Sequence, residues 1–423
     1  MERRIRIGEV SDKNPWIEIR KKRIKELLPE AMQLAGVDMW VVICRENNND
    51  PLALHIGGEN AVGTAAFVFR LEKEGVKSTA FSPWGEATAL IELALHDDII
   101  TLEEPGELWN ILADYLKEIN PDKIAVNCSS HNIADGLSWY QGLKLQEALR
   151  NSLKERLVSS EELISQWLSV KLPEEVEIMT RAGELTVQLQ KEAYQRVIPG
   201  KTRDSDIARY IKDRVEELGV GYAWSPEHNP AVNSGFVRGH AGPADKIIEP
   251  GDFIQIDFGI KVHGVWCTDY QRFAYVLAPG KTSPPREALE KWEKAVQGHR
   301  IVLKAISPGV RGLDVDLTQR RWMEKNGSLP VKWGTGHPVG YWAHDIGPAL
   351  TGGQRENPPS SSLKTLRAGQ TFAFDGFFAW EEERAYGKGE RQISVEEMAV
   401  VTEKGARYLI PPQKELILIP SKK

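Results

Sequence analysis

At 423 residues the chain exceeds the roughly 250–300 residues at which a single hydrophobic core stops growing, so two domains are expected. Hydrophobic residues make up 41% and charged residues 27%, and no apolar run approaches the ~20 residues of a membrane helix, which argues against a membrane protein. A formal net charge of −6 with dispersed Lys and Arg leaves no electrostatic footprint for nucleic acid.

The opening Met1-Glu2-Arg3-Arg4 leads into polar sequence, with no sign of an apolar export segment. Next, residues 16–34 carry Ile19, Ile24, Leu27, Leu28 and Met32 at helical spacing, and the apolar run 39–44 follows as a buried strand. Strand-like runs at 65–69 and 123–127 alternate with helical patterns at 88–95 and 108–117, the rhythm of an α/β layer. Pro173 suits the first turn of a long helix over 174–197. The domain boundary is placed within 165–172, giving an α/β domain over 1–168 and a second domain over 169–423. Cys44, Cys128 and Cys267 have no paired spacing, so neither a disulfide framework nor a zinc ribbon is expected, and a reducing cytoplasm fits best.

The second domain contains a weak internal duplication. Ile198-Pro199-Gly200 introduces an amphipathic helix that runs to Gly219, and Ser307-Pro308-Gly309 introduces another that runs to Gly327. In each half a strand then follows a glycine, Gly251 leading to Asp257 and Gly369 to Asp375, and each Asp stands six residues after its Gly. A second acid follows on each return strand, Asp269 in one half and Glu396 in the other. Two pseudo-symmetric hairpins would thus gather four carboxylates.

Asp257 and Asp269 are about equally far from the turn near Val262-His263-Gly264, so both should point to one face. Buried carboxylates at that distance repel unless a cation or a proton lies between them; a surface pair flanking a turn is the other reading. Four oxygen donors suit Mn, Mg or Ca, and one imidazole shifts the choice toward a transition metal. His337, within Gly334-Thr335-Gly336-His337-Pro338-Val339-Gly340, is the candidate imidazole, with His344 a few residues on.

This ordered set resembles the pita-bread metallopeptidase family, which includes methionine aminopeptidases, Xaa-Pro aminopeptidases, prolidases and the non-metal relative creatinase. The resemblance covers most of the chain and implies an N-terminal creatinase-type α/β domain followed by an α+β pita-bread catalytic domain with a pseudo-two-fold repeat. It implies metal ligands at Asp257, Asp269, His337, Asp375 and Glu396, with Glu396 also the base for the attacking hydroxide. His240, in Gly239-His240-Ala241-Gly242, and His344 would polarise the scissile carbonyl, position substrate or pass a proton to the leaving nitrogen.

Three positions depart from the family pattern. Asp375, in Phe374-Asp375-Gly376, stands where a longer Glu is usual, which implies a more weakly held metal. The interval from Asp257 to Asp269 is one residue longer than usual, read as a bulge that re-aims Asp269. Ser394 replaces an Arg that many Xaa-Pro aminopeptidases carry two residues before the last ligand.

The expected protein is therefore a cytoplasmic, homodimeric aminopeptidase or dipeptidase acting on short peptides, with Xaa-Pro preference implied by the family. Its cofactors would be two divalent ions, Mn first, with Co, Zn or Fe as alternatives. Two other readings stand beside it: an enzyme of the same fold acting on a non-peptide metabolite, and a metal-free binding module.

Overall fold

The computed structural model describes residues 14–149, 151–236, 241–384 and 387–421. They form two compact units, one over Pro15–Leu168 and one from Ser169 onward. Among the described residues no helix is long and apolar enough to cross a membrane.

The first unit opens with α1 (Trp16–Glu26) and α2 (Leu28–Ala35). The single helix expected over 16–34 is interrupted at Leu27, because Pro29 in the first turn of α2 has no N–H to continue the ladder. Six strands follow: β1 (Met39–Arg45), β2 (Thr64–Glu72), β3 (Gly75–Pro83), β4 (Asp98–Leu102), β5 (Ile124–Val126) and β6 (Leu157–Ser159). They lie in the order β4-β3-β2-β1-β5-β6, with β2 antiparallel to both neighbours and the other pairs parallel. Between β4 and β5, α3 (Leu108–Ile119) sets Leu108, Leu112 and Leu116 at four-residue spacing into a core with Val41, Val68 and Ile124. Each such leucine contributes about 1.5–3 kcal/mol on burial.

The second unit is built twice over. The first half comprises α4 (Pro173–Tyr194), α5 (Asp204–Leu218), β7 (Gly221–Tyr222), β8 (Ala231–Ser234), β9 (Phe253–Phe258), β10 (Ile260–Val262), β11 (Trp266–Cys267) and β12 (Tyr270–Val276). The second comprises α6 (Arg286–Ala305), α7 (Gly312–Lys325), β13 (Gly336–Pro338), β14 (Thr371–Arg384), β15 (Gly387–Thr402), β16 (Gly405–Tyr408) and β17 (Ile417–Ile419).

The halves correspond down to single hydrogen bonds. Gly200 N–H donates to the Ile248 carbonyl at 2.8 Å, and Gly309 N–H to the Leu366 carbonyl at 2.9 Å. Gly251 and Gly369, the glycines six residues before Asp257 and Asp375, both turn in the left-handed region, with φ of 90° and 86°. Each hairpin is backed by a helix at glycine-close range. A Cβ on Gly183 of α4 would lie 2.6 Å from the Tyr270 hydroxyl, and one on Gly376 of β14 would lie 2.3 Å from the Ala295 carbonyl of α6. The chain is thus an α/β unit followed by an α+β unit with an internal pseudo-two-fold repeat.

Candidate active site

Each backing helix covers one side of its hairpin, so strand alternation sends the acids to the other side. In the first hairpin Gln271 stands opposite Asp257, which makes Asp269 a diagonal neighbour of Asp257 on the same face. The expected bulge at Asp269 is absent. Phe258 pairs with Tyr270 and Lys261 with Cys267, so the register is in step on both sides and the return strand carries no extra residue. What re-aims Asp269 is a pinch in the hairpin. A Cβ on Gly259 would lie 2.0 Å from the Thr268 carbonyl, while the Thr268 hydroxyl accepts from Ile260 N–H at 2.9 Å. Asp269 N–H leaves the ladder and meets Met398 Sδ of the second hairpin at 3.3 Å.

In the second hairpin Asp375 and Glu396 are directly opposite, and His337 on β13 faces Ala373, which shares the alternation of Asp375. The two hairpins bring Asp269, His337 and Glu396 together, with one ligand atom from each within 4.8 Å of the others. His337 Nε2 lies 3.7 Å from both Asp269 Oδ2 and Glu396 Oε1. Its Nδ1 lies 3.2 Å from the Pro338 carbonyl, an acceptor, which orients the ring so that Nε2 faces the acids.

Electrostatics bind the remaining acids into the cluster. Burial, then the charges of Glu396, Asp257 and Asp375, push the Asp269 carboxyl well above the usual carboxylate range. Burial and the charges of Glu396 and Asp257 do the same to Asp375. Asp375 Oδ1 and Glu396 Oε2 are buried with no hydrogen-bond donor. Leaving such oxygens unmatched costs a few kcal/mol each, and a cation among hard oxygen donors and one imidazole removes the cost. The donor set therefore fits divalent metal.

His344 is exposed, and its ring meets His337 edge-on with centroids 4.2 Å apart, so it borders the cluster on the solvent side. Its loop is fixed by Asp345, which accepts from Tyr341 N–H at 2.9 Å and Ile346 N–H at 2.8 Å, and whose Oδ2 lies 3.6 Å from the equally buried Lys171 ammonium. His240 lies outside the described residues.

Sequence reasoning named Ser394 only as a departure from the family pattern and missed its partners, together with a second group behind the acids. Ser394 joins a neutral cluster in which its hydroxyl donates to Gln271 Oε1 at 2.7 Å and Gln255 Nε2 donates to the same oxygen at 2.5 Å. Behind the acids, Arg272 donates to the Glu396 carbonyl at 2.9 Å and to Glu397 Oε2 at 2.7 Å. The available signal was alternation, since Gln255 and Ser394 each stand two residues from an acid.

Comparison with known proteins follows this geometry. The family model described as metallopeptidase family M24 matches residues 177–403. A Bacillus subtilis protein provisionally named as a dipeptidase, YkvY, is 26% identical over 345 residues, covering 80% of this chain and 85% of that protein. The Xaa-Pro dipeptidase of Pyrococcus furiosus is 24% identical over 250 residues, covering 59% of this chain and 65% of that protein. In fold, the chain is similar to an X-Pro aminopeptidase from Thermotoga maritima, with a TM-score of 0.69, 19% identity, and coverage of 92% of this chain and 100% of the other.

Proposed function

The chain belongs to metallopeptidase family M24, and from that premise we propose that it hydrolyses the N-terminal peptide bond of short peptides, Xaa-Pro bonds preferred. The observation that carries this reading is the convergence of Asp269, His337 and Glu396, with the donorless oxygens of Asp375 and Glu396 beside them. In the proposal Asp257, Asp269, His337, Asp375 and Glu396 hold two divalent ions, with manganese favoured by the hard donors and single imidazole. Bound there, such ions supply a water whose pKa falls from 15.7 to about 7.

The protein's own groups do the rest. Glu396 takes the proton of the attacking water. His344, exposed at the rim, orients the scissile carbonyl or delivers a proton to the leaving nitrogen, a contribution typically worth about 10²–10⁴-fold. His240 is assigned to the same task on the strength of the family resemblance. A homodimer in the cytoplasm completes the proposal.

A panel of Xaa-Pro and Xaa-Ala di- and tripeptides, offered to metal-stripped protein resupplied with Mn, Co or Zn, tests it. Restored release of the N-terminal residue is expected, with Mn most effective. Asp269→Asn and His337→Ala should each lose bound metal and at least about 10²-fold in kcat/KM. Protein that takes up no stoichiometric metal sinks the reading. A second reading, hydrolysis of a non-peptide metabolite, is favoured by one observation, the neutral Ser394–Gln271–Gln255 cluster beside the acids. It gains if two ions bind and no peptide is cleaved.

A further inference from the structure

Resting on the peptidase reading, we propose that Lys261, seated against Trp342, anchors the C-terminal carboxylate of a short peptide and so selects free dipeptides over amidated or longer chains. The argument starts with which side of the first hairpin Lys261 occupies. Trp266 donates to Glu175 of α4 at 3.0 Å, and Tyr270 packs on Gly183 of the same helix. Residues 266 and 270 therefore face α4, and the alternate positions Cys267 and Asp269 face away from it. Lys261 pairs with Cys267, and Asp257 shares its alternation, so Lys261 stands on the side of the hairpin that bears the acids.

That side is covered at Gly259 by Ala223 and Trp224, and at Cys267 by the segment that also carries the histidines. Cys267 N–H donates to the Gly340 carbonyl at 2.6 Å, and Cys267 Sγ lies 3.4 Å from the Tyr341 carbonyl. The Lys261 ammonium lies 5.9 Å from the centroid of the Trp342 ring. Trp342 is two residues before His344, whose ring is against His337. One short segment thus links the ammonium to the rim of the acid cluster.

Charge makes Lys261 distinctive there. Among the described residues of the two acid-bearing hairpins, 253–276 and 371–402, only Lys261 and Lys388 are cations that share the acids' alternation. Lys388 is paired with Glu381 at 3.0 Å, whereas Lys261 makes no ion pair among the described residues. Beside the acids, the positions two residues removed from Glu396, Asp257 and Asp269 are the neutral Ser394, Gln255 and Gln271. A cation held by an aromatic face beside a strongly acidic centre suits a ligand that is itself anionic at one end.

Spacing is compatible with a small ligand. Lys261 stands two strand positions, roughly 7 Å, beyond the residue facing Asp269. In a dipeptide the Cα that bears the C-terminal carboxylate lies about 3.8 Å from the N-terminal Cα across the scissile bond, and a flexible lysine arm spans the remainder. A longer peptide would carry an amide at that point and lose the charge-assisted contact.

The probes are an alanyl-proline analogue with its scissile carbonyl reduced to a methylene, prepared as the free acid and as the C-terminal amide. They are titrated calorimetrically into the full, metal-loaded chain. The acid should bind about tenfold more tightly than the amide. Lys261→Met and Lys261→Gln should bring the two within about twofold, while Lys261→Arg keeps the preference. Equal binding of acid and amide by the wild type, or a preference that survives in a folded Lys261→Met or Lys261→Gln, overturns the assignment. Cleavage of alanyl-proline is followed separately: its absence alongside an intact acid preference fails the peptidase reading and leaves the carboxylate anchor standing.

Discussion

Arg272 and Glu397 form an ion pair whose side chains are only 3% and 1% exposed, and the same guanidinium holds the backbone carbonyl of Glu396. Burial pushes the Glu397 carboxyl up, and Arg272 with the Gln413 amide only partly offsets it. Arg272→Met should therefore cost about 3–5 kcal/mol in urea unfolding, because it strands a buried acid. The double change Arg272→Met with Glu397→Gln should recover much of that stability but not metal affinity, since the clamp on Glu396 stays lost. The acids and His337 were legible in the sequence because each interrupts an apolar strand or a glycine-rich turn, and because the repeat aligns Asp257 with Asp375. Arg272, Glu397, Gln255 and Gln271 were not, since a polar strand residue reads as solvent-facing until its covering element is known. The bulge was misread for a related reason: an added residue in an interval does not say where the hairpin absorbs it.

His299 on α6 lies ring-parallel against both Phe374 of β14 and Tyr408 of β16, with centroids 4.6 and 5.2 Å away; those two rings also meet at 6.2 Å, and the His299 Nδ1 bonds the Tyr408 hydroxyl at 2.9 Å. Burial, helped by the charges of Arg272 and Arg300, pulls its pKa down to about 3. The unfolded chain takes up the proton first as pH falls below about 6.5, so stability is full above that value and is lost on acidification toward 3. By pH 5 this one group should cost about 2 kcal/mol. His299→Phe should shrink the difference between the unfolding free energies measured in urea at pH 7 and pH 5 by about that amount. Among elements, β1, β2, β5 and α3 of the first unit and both repeat helices after Gly200 and Gly309 were read from periodicity, whereas β3, β4 and β6 were not. The split at Pro29 fell inside a pattern that stayed periodic across it, and α6, the helix that backs the second hairpin, belongs to no motif and is recognised by what it covers.

The acids lie wholly within the unit from Ser169 onward. Metal should accordingly act on one part of the unfolding profile. Calorimetry of stripped and Mn-loaded protein should show the transition of that unit rising by about 5–10 °C at a hundredfold excess over Kd, while the transition of Pro15–Leu168 stays in place. At this scale the order of motifs along the chain disclosed the fold class, because a repeat with matched glycines constrains topology more tightly than any single element does.

Asp257 and Asp375 are more than a hundred positions apart, and each repeat brings only part of the acid cluster. Each hairpin can close early, from local pairing, but the cluster is assembled only when both hairpins have found one another across a long loop. A refolding chain should thus regain its strands before it can take up a divalent ion, and metal capture marks the close of the folding reaction in time.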